Sequence, residues 1–141
     1  MTIQTKKIFQ NNQPIRSLCG RYILVYNGEI YNHIELREEL MQLGHSFRST
    51  SDTEVLLTAY VEWGTECLTR LNGMFAFVIF DRKTNRVFAA RDRFGVKPLY
   101  YWVSNNGCLH FASEIKQFTD LSSWKPRLNG SRAYDFLAWG L

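Results

Sequence analysis

Tyr26-Asn27-Gly28-Glu29-Ile30-Tyr31-Asn32 is the stretch on which the reading of this chain turns. An Asn-Gly pair stands between an apolar run, Tyr22 to Tyr26, and a short β-prone run, Ile30 and Tyr31. Asn and Gly accept the positive φ of two-residue turns, so the local sequence predicts a tight hairpin here. The same pair has a second use. A side-chain amide and a backbone N–H held side by side at a strand end can donate two hydrogen bonds to a developing oxyanion. Taken alone the turn is the commoner explanation, and the flanking sequence has to decide.

C-terminal to this stretch, Asn32 with Glu35 three residues on forms a capping-box arrangement. The helix it opens runs to about Leu43, places Leu36, Leu40 and Leu43 on one face, and stops at Gly44. Ser51 and Glu54 form a second capping box, followed by Leu56, Ala59, Tyr60 and Trp63 at helical spacing and Gly64 as terminator. A shorter helical turn, Glu66 to Leu71, leads to Gly73. On the N-terminal side Arg21 to Tyr26 reads as a strand, and Met1 to Asn12 as a polar, patternless lead-in apart from a weak Ile8-Phe9 pair.

From Met74 the period changes. Met74 to Phe80 is an uninterrupted apolar run, which marks a strand covered on both faces. Asp81 to Asn85 turns the chain and Arg86 to Ala90 returns beside it. Arg91 to Pro98 is a charged loop, most simply stabilised by an ion network and assigned no chemistry. Leu99 to Val103 and Cys108 to Phe111 form a further hairpin around Asn105-Asn106-Gly107, then Ser113 to Phe118 a brief helix. Asp120 to Asn129 reads as a linker before a short helix, Ala133 to Trp139. The order is α+β, with sheets stacked between helical layers.

Composition excludes several classes. With 141 residues, 45% apolar and 15% aromatic, the chain is one globular domain's worth. No segment approaches the roughly 20 apolar residues of a membrane span, and the N-terminus lacks a signal-peptide core. Three widely spaced cysteines (Cys19, Cys67, Cys108) without a CxxC support neither a disulfide scaffold nor a zinc site. They point to a reducing cytoplasm. His33, His45 and His110 show no ligand spacing and read as satisfied surface or edge histidines. A net charge of +4, with bases and acids interleaved, marks no nucleic-acid surface.

Five blocks then carry a resemblance: Asn27-Gly28-Glu29-Ile30-Tyr31-Asn32, Ser51-Asp52-Thr53-Glu54, Asn72-Gly73-Met74-Phe75-Ala76-Phe77, Arg91 to Tyr101, and Phe111-Ala112-Ser113-Glu114-Ile115-Lys116. In this order they resemble the glutaminase domain of glutamine-hydrolysing asparagine synthetases, a class II glutamine amidotransferase with the N-terminal-nucleophile fold. The resemblance spans about residues 13 to 118. It implies a partial four-layer αββα sandwich of antiparallel sheets, with residues 1–119 as the amidotransferase domain and 120–141 as a linker toward a synthetase domain or subunit. It implies glutamine as substrate, with ATP and magnesium used only by the synthetase part. Asn27 (side chain) and Gly28 (backbone N–H) are implied as the oxyanion hole, and Glu29 and Asp52 as partners of the glutamine α-ammonium. Asp52 also sits in the first turn of a helix, where a carboxylate meets the dipole favourably.

One departure is as informative as the matches. The family's nucleophile is a cysteine exposed as residue one, whereas this chain begins Met1-Thr2-Ile3. By the family's spacing about 45 to 50 residues, nucleophile included, are expected ahead of Thr2. Thr2 lies only 25 residues before Asn27, too near to re-enter the site, and Cys19-Gly20 is internal, without a free amine. The chain alone is therefore expected to be inactive, because this hydrolysis needs an acyl-enzyme. Missing first strands are also expected to leave unpaired edges beside apolar surface such as Met74 to Phe80, through which copies associate. Two rival readings are a non-catalytic remnant that binds glutamine or a partner subunit, and a glutaminase domain serving another amide-forming synthetase.

Overall fold

The apolar run at Met74 becomes the middle of a four-stranded antiparallel sheet. The structure, a computed structural model, describes residues 3–4 and 13–140. In that sheet β2 (Ile15–Arg16), β3 (Tyr22–Ile30), β4 (Gly73–Asp81) and β5 (Arg86–Arg91) lie side by side in chain order. β3 and β4 pair over nine residues, from Tyr22 opposite Asp81 to Ile30 opposite Gly73.

The hairpin expected at Asn27-Gly28 does not form. β3 runs unbroken through both residues, which face Ala76 and Phe75 on β4. A nine-pair ladder that buries Leu24, Tyr26 and Ile30 outweighs a two-residue turn preference. Gly28 is instead a close-approach glycine. A Cβ there would lie 2.2 Å from the Met74 carbonyl oxygen and 2.7 Å from Phe75 Cα. Gly73 is equally constrained, its Cβ position falling 2.2 Å from the Glu29 carbonyl oxygen.

One face of this sheet packs on α1 (His33–Gln42) and α2 (Asp52–Trp63). The core joins Leu24, Tyr26 and Ile30 of β3 and Phe75, Phe77 and Ile79 of β4 to Leu36, Leu40, Val55, Leu56 and Ala59 of the helices. Burying each of the Leu, Ile, Val and Phe side chains among these contributes roughly 1.5–3 kcal/mol. The opposite face is covered too, since Val25, Ala76 and Val78 are also buried. β4 lies inside the sheet, flanked by β3 and β5.

Helix ends differ from expectation in instructive ways. Ser51 caps α2 by accepting the Glu54 N–H, but Glu54 does not return the bond. Its carboxylate takes Arg48 N–H, Ser49 N–H and the Ser49 hydroxyl, holding the loop before the helix. At α1 no side-chain cap forms. Asn32 reaches across instead, its amide donating to Arg70 O (2.9 Å) and accepting from Asn72 N–H (2.9 Å). This ties the end of β3 to the loop between α3 (Cys67–Arg70) and β4. Leu43, expected on the buried face, is exposed just past the end of α1.

A second sheet has the order β1 (Ile3–Gln4), β7 (Leu109–Ala112), β6 (Tyr100–Val103). β6 and β7 form the expected hairpin, but β1 adds in parallel, Ile3 opposite Leu109. Part of the lead-in is thus a strand, and among the described residues this pair is the one exception to antiparallel pairing. Thr2 and residues 5–12 lie outside the described residues. His110 is neither a surface nor an edge histidine: it is buried on the middle strand and stacks on Trp102, ring centres 5.2 Å apart. After a 3-10 helix (Ile115–Asp120), α4 (Gly130–Trp139) begins at Asn129, which accepts the Arg132 N–H, and buries none of its residues. Among the described residues no helix is long and apolar enough to cross a membrane.

Candidate active site

In an antiparallel ladder every second residue turns its N–H and C=O away from a given neighbour. Along β3 the odd residues face β4, as the flanking Arg82 N–H to Arg21 O and Tyr31 N–H to Asn72 O bonds show. The even residues face the other way, where β2 covers only Ile23 and Leu24. Beyond Leu24 this edge is held by side chains. Gln13 imitates a strand partner: its amide donates to Tyr26 O at 2.7 Å and accepts the Tyr26 N–H at 2.8 Å. Two residues past Gly28, the Ile30 N–H donates to Asp52 Oδ2 at 3.1 Å.

Gly28 lies between these two capped positions. Its N–H points out of the edge and meets no acceptor among the described residues. The contact with Met74 and Phe75 that forbids a side chain at Gly28 also presses its backbone against β4, which fixes the direction of the donor.

Asp52, the first residue of α2, reaches the same edge from the helical layer. Its Oδ2 accepts the Tyr26 hydroxyl at 2.6 Å besides the Ile30 N–H, while among the described residues Oδ1 has only a 3.4 Å contact from the Thr53 hydroxyl. By strand alternation Asn27 and Glu29 project from the opposite face of the sheet. Neither side chain has a hydrogen-bond partner or ion pair among the described residues, and Glu29 is exposed. Burial first, then the bond to Asp52 and the charges of Asp52 and Glu29, push the Tyr26 hydroxyl well above the usual phenol range. Both carboxylates therefore act on one phenol. Asn27, Gly28 and Glu29 are consecutive on β3 and Asp52 binds the next residue, Ile30, so the four lie toward one end of the strand, Asn27 and Glu29 on one face of the sheet and Asp52 on the other.

Two residues here escaped the sequence reading. Tyr26 was legible only as an apolar strand residue, although a buried tyrosine needs a hydroxyl partner and so signals one. Gln13 carried no signal, because its role depends on the strand beside it. The Arg91 to Pro98 loop is also corrected: its organiser is not an ion network but buried Asp92, which accepts N–H bonds from Phe75, Phe94, Val96 and Lys97. Those bonds, that from Lys97 foremost, hold the Asp92 carboxyl below its usual range against the opposing effect of burial. Because Phe75 is the ladder partner of Gly28, this clamp backs the strand edge from behind.

The cysteines stand apart from the edge. Cys19 is exposed in the turn before β3, its thiol 3.3 Å from Ser17 Oγ, a bond that lowers the thiol's pKa. Cys67 is buried in α3, where burial pushes its thiol up to about 11. Cys108 lies in the β6–β7 turn, just outside the strand expected to hold it. A groove of about 570 Å³ between this first turn and α2, lined by Arg16, Cys19, His45, Arg48, Glu54 and Thr58 among others, contains none of the four expected site residues. Among the described residues no cluster of acidic, His and Cys side chains could hold a metal ion.

Comparison with known proteins bears on the family and the fold. The glutamine-hydrolysing asparagine synthetase 3 of Bacillus subtilis is 55% identical over 95 residues, 67% of this chain and 15% of that protein. A putative glutamine-hydrolysing asparagine synthetase of Mycobacterium tuberculosis is 47% identical over 119 residues, 81% of this chain and 18% of that protein. The chain thus spans less than a fifth of the length of these curated relatives. Among solved structures, the glutamine phosphoribosylpyrophosphate amidotransferase of B. subtilis superposes with a TM-score of 0.65 at 27% identity, over 82% of this chain and 27% of that one. The N-terminal-nucleophile amidotransferase fold is therefore present. Residues 6–140 match the family described as a glutamine amidotransferase domain, and the chain belongs to that family.

Proposed function

We propose that the edge of β3 around Gly28 binds L-glutamine. The Asn27 carboxamide and the Gly28 N–H donate to the carbonyl oxygen of its side-chain amide, where negative charge develops when the carbonyl is attacked. Glu29 and Asp52 receive the α-ammonium. The observation that carries this reading is the Gly28 N–H, a rigid donor aimed out of the sheet between two capped neighbours.

In the whole enzyme we infer, glutamine is hydrolysed to glutamate and ammonia, and the ammonia serves an ATP-dependent synthetase that amidates aspartate. The names of the curated relatives support that acceptor. ATP and magnesium belong to the synthetase part, and no residue of this chain is assigned to them. Hydrolysis by this route passes through an acyl-enzyme. Cys19 precedes the Tyr22 end of β3, which is itself roughly 17 Å of extended strand from Asn27. Neither Cys67 nor Cys108 lies at the edge. The 141-residue polypeptide is therefore expected to bind glutamine without releasing ammonia.

Calorimetric titration with L-glutamine tests the pocket. Asp52→Asn is expected to weaken binding by about tenfold or more, since it replaces an anionic partner of the ammonium with a neutral amide. Indifference of the affinity to Asp52→Asn would sink the assignment, as would a wild-type chain that takes up no glutamine. Ammonia release that disappears in Thr2→Ala would overturn the expectation of no turnover.

A further inference from the structure

We propose that Tyr26 is a positioning residue for the substrate α-ammonium: its hydroxyl saturates one oxygen of Asp52 and thereby leaves the other to face the cation. The inference deepens the pocket described above and rests on it.

The geometry is unequal between the two carboxylate oxygens. Oδ2 takes two donors, the Tyr26 hydroxyl at 2.6 Å and the Ile30 N–H at 3.1 Å, whereas among the described residues Oδ1 has only the long Thr53 contact of 3.4 Å. A carboxylate offers about four acceptor sites, two on each oxygen. Two donors on Oδ2 fill it and fix the rotation of the group, so the spare capacity lies on Oδ1. Without the phenol, Asp52 would hold one donor from the strand and could rotate, presenting either oxygen or neither.

Tyr26 suits this task. Its ring is 4% exposed and packed in the core with Leu24, Ile30 and Phe77, so the hydroxyl cannot swing away to water. The phenol stays protonated across the working range, because burial and the neighbouring carboxylates both oppose its ionisation. The bond thus has one direction, donor on Tyr26 and acceptor on Asp52. The other charged group acting on that phenol is Glu29, the second expected partner of the ammonium. A structural reading of the same bond is simpler: it pins α2 to β3. The two readings differ in one respect. A strut affects every ligand of the pocket alike, whereas a positioning residue affects only ligands that carry the ammonium.

The test is a pair of calorimetric titrations of the 141-residue chain, with L-glutamine and with glutaramate, which lacks the α-amino group. Tyr26→Phe removes the oxygen and keeps the ring. It is expected to weaken L-glutamine by about tenfold and to leave glutaramate within about twofold. Equal weakening of both ligands would make Tyr26 a strut and overturn the proposal. No change for either ligand, with Asp52→Asn still harmful, would overturn it while the pocket stands. If Asp52→Asn is also silent the pocket itself fails, and this inference with it. Should Tyr26→Phe not fold, 3-fluorotyrosine at the tyrosine positions of the wild-type chain serves instead. The Tyr26 fluorine resonance must then move on addition of L-glutamine and stay still with glutaramate; movement with both, or with neither, refutes the role.

Discussion

Asp92 and Asp52 both collect donors, and they use their oxygens in opposite ways. Asp92 is 5% exposed and fully occupied: Phe94 and Val96 donate to Oδ1, Phe75 and Lys97 to Oδ2, all from the backbone at 2.9–3.2 Å. Asp52 is half-buried, with two close donors on Oδ2 and, among the described residues, a long 3.4 Å contact from Thr53 on Oδ1. From the sequence both are an Asp beside a helix or loop start, and nothing in composition separates them. Occupancy does. A carboxylate whose acceptor sites are all filled by its own chain is a structural clamp, whereas one held by a single oxygen is oriented and still able to take a ligand.

The largest expected effect lies where the two regions meet. Asp92 holds Phe75, Phe75 faces Gly28, and Gly28 is the donor flanked by the Asp52 bond. Gly28→Ala places a methyl 2.2 Å from a backbone oxygen, with no side chain in the way that could give. Strand β3 would have to leave β4, and the melting temperature is expected to fall by more than about 15 °C, or the chain to be recovered unfolded. Gly107→Ala is the control. Gly107 has φ 77° and nothing within 4 Å of its Cβ position, so the cost there is only about 1 kcal/mol of backbone strain. Circular dichroism melts of the two variants check this, and similar losses would mean that the close approach at Gly28 is not what holds the edge.

Next come the carboxylates themselves. Asp92→Ala leaves four N–H donors without an acceptor in a buried place and is expected to lower the melting temperature by about 10 °C or more. Asp52→Ala loses two bonds at the sheet edge and a favourable charge at a helix start, so about 3–5 °C is expected, together with loss of glutamine binding. The contrast breaks if the order reverses in thermal melts, or if Asp52→Ala destabilises as much as Asp92→Ala.

Much of this frame was legible beforehand, for reasons that can be named. α2 ends where its 3.6-residue periodicity meets Gly64, and the β4 run is read as doubly covered because no polar residue interrupts it. Asn27, Gly28, Glu29 and Asp52, implied by the family resemblance, lie toward one end of β3, with Asn27 and Glu29 on one face of the sheet and Asp52 on the other. What failed were signals that depend on a partner. Asn-Gly looked like a turn because local preference cannot see a nine-pair ladder. Asn32 looked like a cap because its use across the chain, at Arg70 and Asn72, lies 38 and 40 residues away. Asp92 looked like one member of a charge cluster because backbone donors leave no trace in side-chain identity.

The smallest expected effect concerns acid. Asp92 is held below the usual carboxylate range by its N–H donors, and Asp81 is held below it by the Arg21 guanidinium, with bonds at 2.9 and 2.6 Å. A carboxyl depressed in the folded state adds stability that is complete above its unfolded value, about pH 4, and is lost as the pH falls below that toward the folded value. The melting temperature should therefore be nearly level from pH 7 to about pH 5 and drop below about pH 4. Asp92→Asn keeps one acceptor oxygen and cannot titrate. Its melting temperature starts lower at pH 7, and its decline below pH 4 should be shallower than that of the wild type. Parallel acid profiles for the two proteins would mean that the Asp92 charge is not what makes its four bonds strong, and the occupancy argument would then lose its electrostatic half while keeping its geometric one.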